Sequence, residues 1–147
     1  MKIYRSKKNG FTLIDLLVVI SIIGVLISVS FVGFAQARKA SRDSKRRADL
    51  EQIRSALEIY RNDCKTYPSF LAQGGTLMGA ETLCQGNVYM QQIPQDPLGS
   101  GYNYSYNRTG PNSYVLCSFL ETGGGGDVSG CGSCGSGVSC KNKVVNP

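Results

Sequence analysis

The chain divides by polarity before any other property. Residues 11–34 are apolar almost throughout and hold one ionisable side chain, Asp15. At about 1.5 Å of rise per residue, a helix of that length reaches about 36 Å, enough to cross a bilayer. Residues 35–62 contain neither proline nor glycine, and Leu50, Ile53, Leu57 and Tyr60 follow a spacing that places them on one helical face. The pattern predicts a single helix of about fifty residues with an apolar first half and an amphipathic second half. It should end near Asp63, because Tyr67-Pro68 biases the backbone away from helix.

The patterning after that helix is shorter in range. Residues 69–97 carry glycine pairs, a short helix predicted over residues 79–84, and the extended run Ile93-Pro94-Gln95-Asp96-Pro97. Tyr102, Tyr104 and Tyr106 alternate with polar residues, and residues 113–120 are rich in β-formers. The turn signal Thr109-Gly110-Pro111-Asn112 between these runs predicts an antiparallel hairpin, with the tyrosines on one face of a sheet. From Gly123 to Cys140 glycine and cysteine dominate, so order there has to come from cross-links or an ion.

Composition sharpens this picture in two places. All six cysteines (Cys64, Cys84, Cys117, Cys131, Cys134, Cys140) and fifteen of the eighteen glycines follow Asn62. A small segment with little apolar material and an even cysteine count fits a disulfide framework outside the cytoplasm, with the pairing left open. The net charge of +6 is unevenly spread: Lys2, Arg5, Lys7 and Lys8 supply four of the six, and Arg38, Lys39, Arg42, Lys45, Arg46 and Arg47 cluster beyond the apolar run. From Asn62 onward four basic residues face five acidic ones. This distribution argues against a nucleic-acid partner and for contacts of the 38–47 cluster with lipid headgroups or neighbouring subunits.

The segment from Lys7-Lys8-Asn9-Gly10-Phe11-Thr12-Leu13-Ile14-Asp15 through Leu16-Leu17-Val18-Val19-Ile20 resembles the leader and helix start of the type IV pilin-like family. The resemblance implies that a membrane prepilin peptidase cuts between Gly10 and Phe11 and methylates the new Phe11 amine. It places at Asp15, the fifth residue from Phe11, the acidic group that the family usually supplies as glutamate. A carboxylate in an apolar helix calls for a partner, and in a stack of parallel helices the Phe11 amine of a neighbouring copy is that partner. Gly24 matches a glycine common in the family's first helix, whereas the family's usual proline is absent at Val32. Gly33 and Ser28 are small residues of the kind that allow close helix packing.

Further on, the stretch around Leu50-Glu51-Gln52-Ile53, Tyr67-Pro68, the Asp96-Pro97 run and the tyrosine run resemble the major, G-type pseudopilin of type II secretion. That resemblance implies an α+β subunit: a cleaved leader (1–10), a transmembrane and filament-core helix (11–35), an amphipathic helix (36–62) and a small extracytoplasmic domain with a cysteine-rich tail (63–147). It implies a structural, non-enzymatic protein in the bacterial inner membrane and then in a filament. The expected partners are copies of itself, minor pilins or pseudopilins, prepilin peptidase and an ATPase-driven assembly machine. It also implies calcium held near the C-terminal strands, for which Glu121 and Asp127 are the acidic residues present.

Other readings of the same residues stay open. Surface pilins for adhesion, motility or DNA uptake share the same leader. Ala35-Gln36-Ala37 has the form of a signal peptidase site, although the apolar run exceeds the roughly 7–15 residues of a signal peptide. Cys117, Cys131, Cys134 and Cys140 could instead form a four-cysteine zinc site in a secreted binding module, and Cys131-Gly132-Ser133-Cys134 has redox spacing.

Overall fold

Helix α1, Leu13–Cys64, runs through 52 residues, as the polarity pattern predicts. The computed structural model describes residues 10–123 and 128–146, side chains 31 and 32 excepted; the leader positions 1–9 and Asp127 lie outside the described residues. The helix stops because Lys65 takes a left-handed conformation, φ 64°, and its N–H bonds to the Arg61 carbonyl at 2.9 Å. The chain forms two compact units that divide between Ala37 and Arg38, and each is described by itself.

The second unit adds five strands: β1 (Leu77–Met78), β2 (Val88–Met90), β3 (Ser105–Gly110), β4 (Ser113–Ser118) and β5 (Asn142–Val145). β1 and β2 pair as one small antiparallel sheet, and β3, β4 and β5 form a second in the order β3-β4-β5. Leu50, Ile53, Leu57 and Tyr60 of α1 are all buried and cluster with Tyr67, Leu77, Ile93, Tyr104, Tyr114 and Leu116. Buried tyrosine hydroxyls find acceptors, Tyr104 on Asp49 at 2.6 Å and Tyr67 on Glu58 at 2.9 Å. Burial, with Asp49 alongside, pushes the Tyr104 phenol above its ordinary range.

β4 is buried on both faces, which explains the cysteine-rich tail. Tyr114 and Leu116 face the helix cluster, while Val115 and Cys117 join Cys131, Cys134 and Cys140 in a second cluster flanked by Phe119 and Val128. The tail covers this second face of β4 with cystine. The pairs are Cys64–Cys84, Cys117–Cys131 and Cys134–Cys140.

Two predicted elements are corrected. Residues 79–84 form turns instead of a helix: a Cβ at Gly79 would overlap the Cys84 carbonyl, and the bond from Cys84 to Cys64 fixes that fold-back. β3 starts at Ser105, not at Tyr102, because Tyr102 makes an isolated bridge with Gly135 of the tail.

One buried polar cluster joins α1 to two loops. Arg46, with no exposed surface, grips Asp96 with both Nε and Nη2 at 2.7 and 2.9 Å and donates through Nη1 to Asp43 and Glu121 at 2.8 and 2.9 Å. Asp43 in turn accepts the N–H groups of Glu121 and Thr122 at 2.9 Å and the Thr122 hydroxyl at 2.7 Å. Burial alone would push the Asp43 carboxyl up, but these donors and Arg46 outweigh it and lower its pKa to about 2. Among the described residues no buried side-chain nitrogen or oxygen lacks a hydrogen bond, so the cluster is fully satisfied.

Leu57→Ala should cost about 2–5 kcal/mol in urea unfolding of the oxidised chain, whereas Ile59→Ala, at a position 56% exposed, should stay within about 0.5 kcal/mol. Arg46→Met should cost about 3–5 kcal/mol by leaving the buried Asp96 carboxylate without its cation and removing a donor from Asp43 and Glu121, and Arg46→Lys should recover little because an ammonium cannot grip Asp96 with two parallel bonds. The Asp43 contribution, roughly 2 kcal/mol, is complete above its unfolded value of 3.8 and disappears as pH falls through about 2. Acid titration of stability should therefore slope less between those limits in Asp43→Asn.

Candidate assembly segment

The first unit is a helix with nothing covering it. Fifteen large apolar side chains between Phe11 and Phe34 are exposed, from Phe11 at 88% to Val19 at 47%. Burying one such side chain is worth roughly 1.5–3 kcal/mol, so in water this segment forgoes tens of kcal/mol. Its polar groups are internally satisfied: Ser21, Ser28 and Ser30 each donate a hydroxyl bond to a carbonyl one turn back, at 2.8, 2.7 and 2.9 Å. A bilayer or a bundle of like helices suits such a surface. A Cβ at Gly24 or Gly33 would meet nothing within 4 Å inside the chain, so neither glycine is explained by packing within its own subunit.

Gly10, Phe11 and Asp15 lie together at the start of this helix. Gly10 and Phe11 precede the first helical turn and both are exposed, leaving the peptide bond between them accessible. Asp15 Oδ2 accepts the Thr12 N–H at 3.0 Å and the Thr12 hydroxyl at 2.7 Å, while the Asp15 N–H reaches Thr12 Oγ1 at 3.4 Å. This is a reciprocal capping box with aspartate in the place of glutamate, and Thr12 is the residue that sequence reasoning missed. The signal was present as Thr12-Leu13-Ile14-Asp15 at the head of an apolar run. Among the described residues no cation pairs with Asp15, so its negative charge lies open at the helix start.

The remaining candidates sort differently from the sequence expectation. Of the six basic residues in 38–47, Arg42 and Arg46 turn inward onto Glu121 and Asp96, and only Arg38, Lys39, Lys45 and Arg47 face outward. Arg46 is therefore a structural residue, not a ligand for phosphate or lipid. Cys131 and Cys134 bond to different partners, which leaves no thiolate for zinc and no redox pair at that motif. Glu121 accepts Arg42 Nε and Nη2 at 2.6 and 2.5 Å as well as Arg46. The hydrogen bonds from Arg42, helped by Arg46, hold its carboxyl below the usual range. Both oxygens of Glu121 are thus engaged by guanidinium groups, Asp127 lies outside the described residues, and among the described residues no group of three or more cysteine, aspartate or glutamate side chains is placed to hold a metal.

The comparisons with known proteins match both halves. Residues 5–31 match the prokaryotic N-terminal methylation motif, and residues 34–132 match the family described as type II secretion system protein G. Type II secretion system core protein G of Pseudomonas aeruginosa is 30% identical over 112 residues, covering 68% of this chain and 75% of that protein. The protein of the same name from Escherichia coli K12 is 31% identical over 103 residues, covering 66% and 71%. That of Pectobacterium carotovorum is 31% identical over 103 residues, and the match spans 65% of each chain. No solved structure matches. The match over residues 34–132 takes in the buried helix face, both sheets as far as β4 and the first two cystine pairs, and on that ground the chain belongs to the type II secretion system protein G family.

Proposed function

We propose that this chain is a structural subunit of a type II secretion pseudopilus, a helical filament whose growth drives protein export. The observation that carries the reading is the uncovered apolar helix with a single open charge at Asp15, joined to a family match over the rest of the chain. Prepilin peptidase releases the subunit between Gly10 and Phe11 and methylates Phe11. The helix then anchors the chain in the inner membrane with the cystine-bearing unit outside the cytoplasm. Exposed Arg38, Lys39, Lys45 and Arg47 sit where lipid headgroups or neighbouring copies would meet them.

Assembly exchanges lipid for helix–helix contact, so the apolar term is nearly conserved and an ATPase machine has to supply the work of extraction. The Phe11 amine of one copy neutralises Asp15 of the next, which turns an unpaired charge from a cost into a register mark. The Asp15 carboxylate is already oriented by Thr12, so the incoming amine meets an ordered acceptor. The role is structural, with minor pseudopilins and the assembly machine as partners.

In cells, Asp15→Ala should lower filament yield roughly tenfold or more while leaving membrane levels of the subunit intact, and Asp15→Glu should restore it. Filaments counted by immunogold imaging, beside export of a folded substrate, test this. Normal filaments from Asp15→Ala would remove Asp15 from assembly, and long surface filaments in the wild type that a deletion strain loses without impaired export would favour a pilus over a pseudopilus.

A further inference from the structure

The loop that joins β4 to β5 is where the family resemblance implies calcium, and there this chain's own cationic side chains reach oxygens that a bound cation would use. Arg42 occupies both oxygens of Glu121, and Arg46 shares one of them. On the far side of the loop, Lys143 donates its ammonium to the Ser129 carbonyl at 3.0 Å, taking a backbone oxygen of the kind a hard cation would use. Lys141 lies over the Phe119 ring, 5.7 Å from its centre, and Arg46 lies 5.5 Å from the same centre. A divalent ion placed beside Glu121 would meet two guanidinium groups at contact distance.

The same loop is closed covalently. Cys117 in β4 bonds to Cys131, and Cys134 bonds to Cys140, two residues before β5 begins. Backbone bonds complete the closure: the Lys141 N–H reaches the Ser118 carbonyl at 3.0 Å and the Val128 N–H reaches the Cys140 carbonyl at 3.4 Å. Closing loops of 14 and 6 residues restricts the unfolded chain where a bound ion would otherwise stabilise the folded one.

We infer that tethered cations and two cystines take the place of bound calcium in holding the described parts of the β4–β5 loop, residues 119–123 and 128–141: Arg42 and Arg46 neutralise Glu121, Lys143 ties down Ser129, and Cys117–Cys131 with Cys134–Cys140 tie the later part to β4 and to itself. Stability of this unit is then independent of calcium and dependent on oxidation. The inference does not rest on the filament reading, since it concerns the isolated subunit.

The test is thermal unfolding of the full chain in detergent, followed by circular dichroism, with calcium chloride, with a chelator, and with a thiol reductant. Calcium and chelator should give the same midpoint, and reduction should lower it by roughly 10 °C or more. Arg42→Ala should lower the oxidised midpoint by several degrees, and added calcium should not restore it. A midpoint that falls in chelator, or an Arg42→Ala chain rescued by calcium, would overturn the inference; so would a reduced chain as stable as the oxidised one. Reading the wild-type chain in all three conditions keeps the test decisive even if Arg42→Ala fails to fold.

Discussion

An apolar helix that its own chain does not cover sets the terms for everything else in this protein. Residues 11–34 present large side chains on every side and one carboxylate near the start. The apolar surface is costly in water and an unpaired carboxylate is costly in lipid, and association with like helices resolves both at once. The capping box between Thr12 and Asp15 holds the carboxylate at the helix entrance, where a neighbouring amine would arrive.

Because that helix is reserved for other partners, the second unit must fold on limited means. Its main apolar cluster draws on one face of α1, on β4 and on single residues such as Tyr67, Leu77 and Ile93, and polar and covalent ties add to it. Arg46 joins a residue of α1 to the Asp96 turn and to the loop after β4, and three cystines close loops that have little apolar material to hold them. A buried guanidinium of this sort adds less net stability than an apolar side chain of its size, but once present its loss is severe. It also fixes which loops meet which turn of the helix.

The sequence made some of this legible and hid the rest for physical reasons. The long helix and its buried face at Leu50, Ile53, Leu57 and Tyr60 follow from periodicity, which local patterning reports well. Arg46 was hidden because it stands among five other basic residues and nothing local distinguishes the one that turns inward; its partners lie 50 and 75 residues away. β1, β2 and β5 have two, three and four residues, too few to show alternation. The short helix expected at residues 79–84 failed because a bond to Cys64 dictates that backbone. Cystine pairing was likewise beyond the sequence, and with it the reason β4 can be apolar on both faces. At the assembly end, Gly10, Phe11 and Asp15 stand out in the sequence, and the capping role of Thr12 shows in its hydrogen bonds to Asp15.

Mass spectrometry of the N-terminal peptide from membrane-extracted protein tests the central claim most directly. A chain beginning at N-methylated Phe11 is the predicted result, since only that cut leaves an amine beside Asp15 and an apolar helix free to move from lipid into a filament. A chain beginning at Arg38 would contradict the account, because the helix that everything else accommodates would then be discarded before the protein acts.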